Sequence, residues 1–141
     1  MTSVAFTPLT AADCEAVVGL WQAAELTRPW NDPHADFALA IRGPHSAVLG
    51  ARDETGALIA TVMVGEDGHR GWFYYLAVDP AHRRQGLGRA AVAAAENWLQ
   101  ARNIPKAQLM IRNGNAAAVT FYAALGYEPA DVTVVGRWLD R

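Results

Sequence analysis

Apolar and polar positions along the chain alternate between two periods, and the changes of period mark the elements. Val4 to Phe6 reads as a short first strand. Cys14, Val17, Val18, Trp21 and Ala24 then recur at helical spacing, which predicts a helix over about Ala11 to Ala24 with Thr10 as its cap and Asp13 and Glu15 in its first turn. Asp32-Pro33 is a cap and first-turn pair, which predicts a second helix from Pro33 to Ile41. A meander follows: Ser46 to Arg52, a turn at residues 53–56, Leu58 to Gly65, a second turn, and Trp72 to Val78. A helix over Gly86 to Ala101 turns Leu87, Ala91, Ala94, Ala95 and Trp98 toward the sheet. A strand from Lys106 to Arg112 precedes a helix from Ala116 to about Leu125, capped by Asn115 and stopped by Gly126. Thr133 to Leu139 reads as a last strand. The pattern is α/β, with no repeat, linker or low-complexity segment, and residues 1–141 form one domain of ordinary size.

The most informative junction lies between Leu76-Ala77-Val78 and the Ala-rich helix. Asp79-Pro80 turns the chain, Arg83-Arg84-Gln85 adds charge, and Gly86-Leu87-Gly88-Arg89 enters the helix. The first N–H groups of a helix lack intrahelical acceptors, and its dipole places partial positive charge there. Gly86 and Gly88 leave the backbone accessible to a phosphate, and Arg83, Arg84 and Arg89 add formal charge. The stretch therefore reads as a pyrophosphate cradle. A P-loop needs Gly-Lys-Ser/Thr, which is absent. Gly86-Leu87-Gly88-Arg89-Ala90-Ala91 fits the loose dinucleotide pattern, but the following strand Ala107-Gln108-Leu109-Met110-Ile111-Arg112 lacks the acid that pattern expects. An ordinary strand-to-helix turn is the remaining alternative.

Arg83-Arg84-Gln85-Gly86-Leu87-Gly88 resembles the R/Q-x-x-G-x-G/A signature of the GNAT superfamily of N-acetyltransferases. Asn115 to Tyr127 resembles that family's N-x-x-A-x-x-F-Y-x-x-x-G-F/Y segment at the expected distance downstream. The likeness covers residues 46 to 130 well and the N-terminal third in outline. It implies a mixed central sheet of six to seven strands flanked by about four helices, with a splayed strand pair holding acetyl-coenzyme A.

It also implies roles. Free backbone groups of Leu76, Ala77 and Val78 would pair with the pantetheine arm, and an N–H near Val78 would polarise the thioester. The amides of Arg84, Gln85, Gly86, Leu87, Gly88 and Arg89, beside Arg83, would hold the pyrophosphate. Asn115 would touch the coenzyme arm while capping its own helix. Tyr122 aligns with the tyrosine that lies near the coenzyme sulfur in that family, which makes it the candidate general acid for the departing thiolate, although Phe121 and Tyr122 also suit a helix core. The connection between the first two helices would wall the acceptor site, with Trp30 and Asn31 on it and Tyr75, like Tyr74, adding aromatic surface. Many relatives carry a glutamate on the strand before the loop, whereas Trp72-Phe73-Tyr74-Tyr75-Leu76 has no carboxylate. Glu66, Asp67 or His69 through water, Asp32, or solvent alone remain as routes for the amine proton.

Composition narrows the surroundings. The chain is 52% hydrophobic and 18% charged, which suits a packed domain. A net charge of −2 gives no general nucleic-acid footprint. The single cysteine, Cys14, allows no internal disulfide and no cysteine-built zinc site, and it reads as a small buried side chain. No metal is called for. No apolar run reaches membrane-spanning length and the start lacks signal-peptide character, so a cytoplasmic location is expected. The final strand leaves a homodimer open. The expected activity is acetyl transfer from acetyl-coenzyme A to a primary amine of a small molecule or peptide, through a ternary complex. The absent glutamate keeps a non-catalytic acyl-coenzyme A sensor or regulatory module as the alternative.

Overall fold

The computed structural model describes residues 4–141. They group into two compact units, one ending at Met110 and one running from Ile111 to Arg141. The first unit is built on a sheet of five strands in the order β1 (Thr7–Pro8), β2 (Ser46–Arg52), β3 (Leu58–Glu66), β4 (Gly71–Val78) and β5 (Ala107–Leu109). β1 to β4 pair antiparallel, and β5 joins β4 in parallel. α1 (Cys14–Ala23), α2 (Pro33–Ala40) and α3 (Leu87–Gln100) pack on this sheet, and α4 (Ala116–Ala124) lies in the second unit.

The helices start and stop where side chains can satisfy backbone groups. Asp32 accepts from the N–H of His34 at 2.9 Å and of Ala35 at 3.3 Å, and Pro33 occupies the first helical position, where a missing N–H costs nothing. Asn115 accepts from the Ala118 N–H at 3.1 Å. At the other end of α4, Gly126 takes φ +93°, its N–H reaches Ala123 O, and the Tyr127 N–H reaches Tyr122 O, both at 3.0 Å. Those two bonds close the last turn, and the left-handed residue between them favours glycine.

Alternation along the strands sends side chains to the two faces of the sheet. One face is sealed by Val17, Leu20, Trp21, Phe37, Ala40, Val48 and Ala77, together with Leu9. A second cluster joins Ala51, Ile59 and Ala60 to Leu87 of α3. β4 runs close under that helix: a Cβ on Gly71 would sit 2.3 Å from Leu99 Cδ1, so only glycine permits the approach.

Several expectations are corrected. The first strand is Thr7–Pro8, not Val4 to Phe6; Thr7 and Pro8 pair with Gly50 and Leu49 at the sheet edge, where a proline's missing N–H is tolerated, while Val4 and Phe6 pack on the second cluster. The first helix opens as a 3-10 turn over Ala11–Asp13, and the α-helix proper starts at Cys14. Cys14 is only half-buried, against the rim of the first core cluster. On α3 the buried face is Leu87, Ala91, Val92, Ala95 and Leu99. Trp98 stays half-exposed beneath the Arg102 guanidinium, whose carbon stands 3.4 Å from the ring centre. The fifth strand spans three residues, Ala107–Leu109, short of the expected Lys106 to Arg112. Among the described residues no strand forms over 133–139, and the sheet has five strands rather than six or seven. An alternating sequence sets which side chains share a face, but a strand also needs a ladder partner, which the pattern does not supply.

Candidate active site

β4 changes character halfway along. It pairs with β5 at Gly71, Trp72 and Phe73, opposite Ala107, Gln108 and Leu109, and the pairing stops there. On its other side β4 stays on β3 as far as Val78, opposite Ala60. Tyr74 to Val78 thus continue beyond the parallel ladder, with the backbone groups that would pair with β5 left outside it. This is the parting of strands that the resemblance implied next to Leu76-Ala77-Val78.

The break coincides with a bulge. Register against β3 shifts between Tyr74, opposite Met63, and Ala77, opposite Thr61. Within it Tyr75 adopts φ +52°, a left-handed conformation that costs a non-glycine residue on the order of 1 kcal/mol. Three contacts hold it there. Its ring stacks on Trp21 at 3.7 Å between centroids and 8° between planes. Its hydroxyl donates to Asp36 Oδ2 at 2.7 Å, and its carbonyl accepts from the Thr61 hydroxyl at 3.2 Å. The fully buried Thr61 in turn accepts from Trp21 Nε1 at 3.0 Å. Burial and the neighbouring Asp36 carboxylate push the Tyr75 phenol's pKa up, so the hydroxyl remains a donor.

At the end of β4 the chain turns on Asp79, which accepts from the Ala81 N–H at 3.0 Å as a 3-10 turn forms over Pro80–His82. Arg84 takes φ +65° and Gly86 φ +78°, and α3 begins at Leu87. The first N–H of α3 to find an intrahelical acceptor is that of Ala90, on Gly86 O at 3.0 Å. The N–H groups of Leu87, Gly88 and Arg89 precede it and point out of the helix start. Arg83, Arg84, Gln85, Gly86 and Arg89 are exposed, and a Cβ at Gly86 would meet nothing within 4 Å. Open space, free donors and three guanidinium groups suit a polyanion such as a diphosphate.

The first unit also holds Trp30 and Asn31, for which the resemblance implied an acceptor-side role. The loop between α1 and α2 carries Arg28 to Asp32; the Asn31 N–H bonds Arg28 O at 3.1 Å, and Trp30 is 44% exposed. Arg28 turns its guanidinium onto the carbonyls of Glu25 and Thr27. Asp36, one turn into α2, reaches Tyr75 on β4, so the start of α2 is tied to the bulge. No local pattern in the sequence singles out Asp36 or Thr61.

The candidate bases fare unequally. Glu66 accepts from His45 Nδ1 at 2.7 Å and from the Gly68 N–H at 2.7 Å, and these bonds hold its carboxyl below its ordinary value. Asp67 is likewise lowered, by the N–H groups of Arg70 and His69. Stabilised carboxylates are weak bases. Glu66 also pairs with Gly71, roughly 20 Å along β4 from Val78, and Asp67 and His69 lie in the adjoining turn. Asp32 spends an oxygen on capping α2.

In the second unit, Asn115 caps α4 and Tyr122 is buried. The Tyr122 ring meets Phe121 edge-on at 4.9 Å and Tyr127 at 5.8 Å. Burial pushes its phenol up to about 12, so it is protonated throughout the neutral range.

Comparison with known proteins agrees with this arrangement. The family model for the acetyltransferase (GNAT) family matches residues 15–127. An acetyltransferase of Pectobacterium atrosepticum is 40% identical over 127 residues, 90% of this chain and 89% of that protein. One of Yersinia enterocolitica is 39% identical over 128 residues, 91% of this chain and 90% of its own length. Among solved structures, the ribosomal-protein-S18-alanine N-acetyltransferase from Escherichia coli shares 28% identity at a TM-score of 0.78, over 90% of this chain and 79% of that one. AAC(6')-Iy, solved with the bisubstrate analog CoA-S-monomethyl-acetylneamine, matches at a TM-score of 0.81 and 16% identity over 97% of this chain and 99% of that one, a likeness of fold. The chain belongs to the GNAT acetyltransferase family, and its enzyme class is that of an acetyl-coenzyme A-dependent N-acetyltransferase.

Proposed function

We propose that the protein moves the acetyl group of acetyl-coenzyme A directly onto a primary amine of a small molecule or peptide, within a ternary complex. The parting of β4 from β5 beyond Phe73, next to the glycine-led start of α3, carries this reading. The backbone of Leu76, Ala77 and Val78 pairs with the pantetheine arm as an added strand would. Arg83, Arg84, Gln85, Gly86, Leu87, Gly88 and Arg89 hold the diphosphate, and Asn115 contributes to the coenzyme arm. In this reading both compact units serve one acetyltransferase domain, since the family match crosses their boundary.

In the chemical step the amine nitrogen attacks the thioester carbonyl, the new C–N bond forms, and the C–S bond breaks. A backbone N–H near Val78 stabilises the oxyanion in between. Tyr122 gives its hydroxyl proton to the departing thiolate sulfur and recovers one from solvent, while the newly acylated nitrogen releases its extra proton to solvent to leave the neutral amide. An amine resembling that of lysine is mostly charged at neutral pH, so it must first lose a proton. With Glu66 and Asp67 held as weak bases, solvent takes that proton, and the rate rises with pH as the free-amine fraction grows. Trp30, Asn31 and Tyr75 line the acceptor side.

The competing reading is an acyl-coenzyme A sensor, favoured by the carboxylate-free strand from Trp72 to Leu76. Free coenzyme A release, followed with a panel of amino acids, polyamines, aminoglycosides and peptide N-termini, separates the two. A transferase releases coenzyme A at a rate that saturates with one amine class. Tight acetyl-coenzyme A binding with no amine-dependent release across the panel would favour the sensor.

A further inference from the structure

We propose that Tyr75 and Asp36 form a clamp that positions the parted half of β4, so that the pair acts on the reaction through the backbone of Leu76 to Val78. Three observations carry it. Tyr75 is the residue at which β4 takes φ +52° and loses register with β3, so its conformation sets the course of the strand beyond it. Its ring is fixed from below by the buried Trp21, which is itself held on Thr61. Its hydroxyl is tied at 2.7 Å to Asp36, on the helix that follows the proposed acceptor loop. A left-handed tyrosine persists only where its surroundings over-determine it, and here stacking, a side-chain bond and a bond to its own carbonyl all converge. The clamp joins the acceptor side to the donor-holding strand, and this role rests on the transferase reading above.

The test is a double-mutant cycle with two readouts. Tyr75→Phe keeps the stacked ring and removes the hydroxyl, and Asp36→Ala removes the acceptor. Asp36→Asn leaves an oxygen that can still accept. The clamp predicts that Tyr75→Phe and Asp36→Ala each lower kcat about ten-fold with the acceptor KM within about two-fold, the scale on which small misplacements act. The double variant should be no slower than either single one, and Asp36→Asn should recover most of the rate. Hydrogen–deuterium exchange of the 74–78 segment needs no substrate, and it should quicken about ten-fold in Tyr75→Phe and Asp36→Ala. Unchanged exchange in both variants overturns the clamp whether or not the protein proves to be a transferase. Losses confined to the acceptor KM, or multiplying in the double variant, overturn it as well, because they would make the two side chains independent binding groups. A wild-type protein without turnover would sink the transferase reading alone, and the exchange measurement would still decide the clamp.

Discussion

Gly86→Val should weaken acetyl-coenzyme A binding ten- to a hundred-fold by isothermal calorimetry and lower the melting temperature by several degrees. Gly86 sits at φ +78° on the threshold of α3, where a β-branched residue is strained by about 1–3 kcal/mol. A loop that relaxes to escape that strain must be bent back on binding, and each 1.4 kcal/mol is about a factor of ten in affinity. The added methyl groups would meet no protein atom near Cβ, so the folded core is spared. They would instead enter the space before the free N–H groups of Leu87, Gly88 and Arg89, where the diphosphate is proposed to sit. Gly86→Ala should show the same trend on a smaller scale, a few-fold, since one methyl group carries a smaller penalty. Equal affinity in the valine variant and the wild type would mean that the loop holds something else.

Tyr122→Phe should retain acetyl-coenzyme A affinity within about two-fold and lose at least about ten-fold in kcat, at the low end of acid–base effects. A phenylalanine keeps the edge-on contacts with Phe121 and Tyr127, so a change in rate reports the hydroxyl. The pH dependence sharpens the test. With the folded-state phenol at about 12 and its ordinary value 10.0, the proton donor is intact up to pH 10. The wild-type rate should therefore rise between pH 7 and pH 9 as the amine loses its proton, with no descending limb from Tyr122. The same shift stabilises the fold below pH 10, and that contribution is lost as pH rises from 10 toward 12. Unchanged kcat at saturating substrates in Tyr122→Phe would remove this side chain from the chemistry.

The sequence was most legible where one local cause sufficed. β2 runs over Ser46–Arg52 as expected, because apolar residues bounded by turn-formers leave little choice. Asp32-Pro33 and Asn115 start their helices, and Gly126 ends α4, because caps and left-handed stops are local chemistry. The glycine-arginine loop was legible for the same reason. What stayed hidden depends on partners distant in the chain. Nothing in Trp72-Phe73-Tyr74-Tyr75 announces a left-handed Tyr75; Trp21, Asp36 and Thr61, all far away in sequence, impose it. Val4 to Phe6 has the character of a strand, yet the edge pairing with β2 falls on Thr7 and Pro8. The 133–139 segment is rich in valine and aromatic strand formers and still forms no strand, since register and pairing are decided by what lies alongside. On α3 a shift of one position put Leu99 in the core where Trp98 was expected.

The most direct test of the central claim is a titration of isotope-labelled protein with acetyl-coenzyme A, followed by amide chemical shifts. The account predicts saturable shifts concentrated at Arg84 to Ala90 and at Leu76 to Val78, the free N–H groups of the helix start and the parted strand. Binding that leaves both stretches unmoved, or no binding at all, would contradict it.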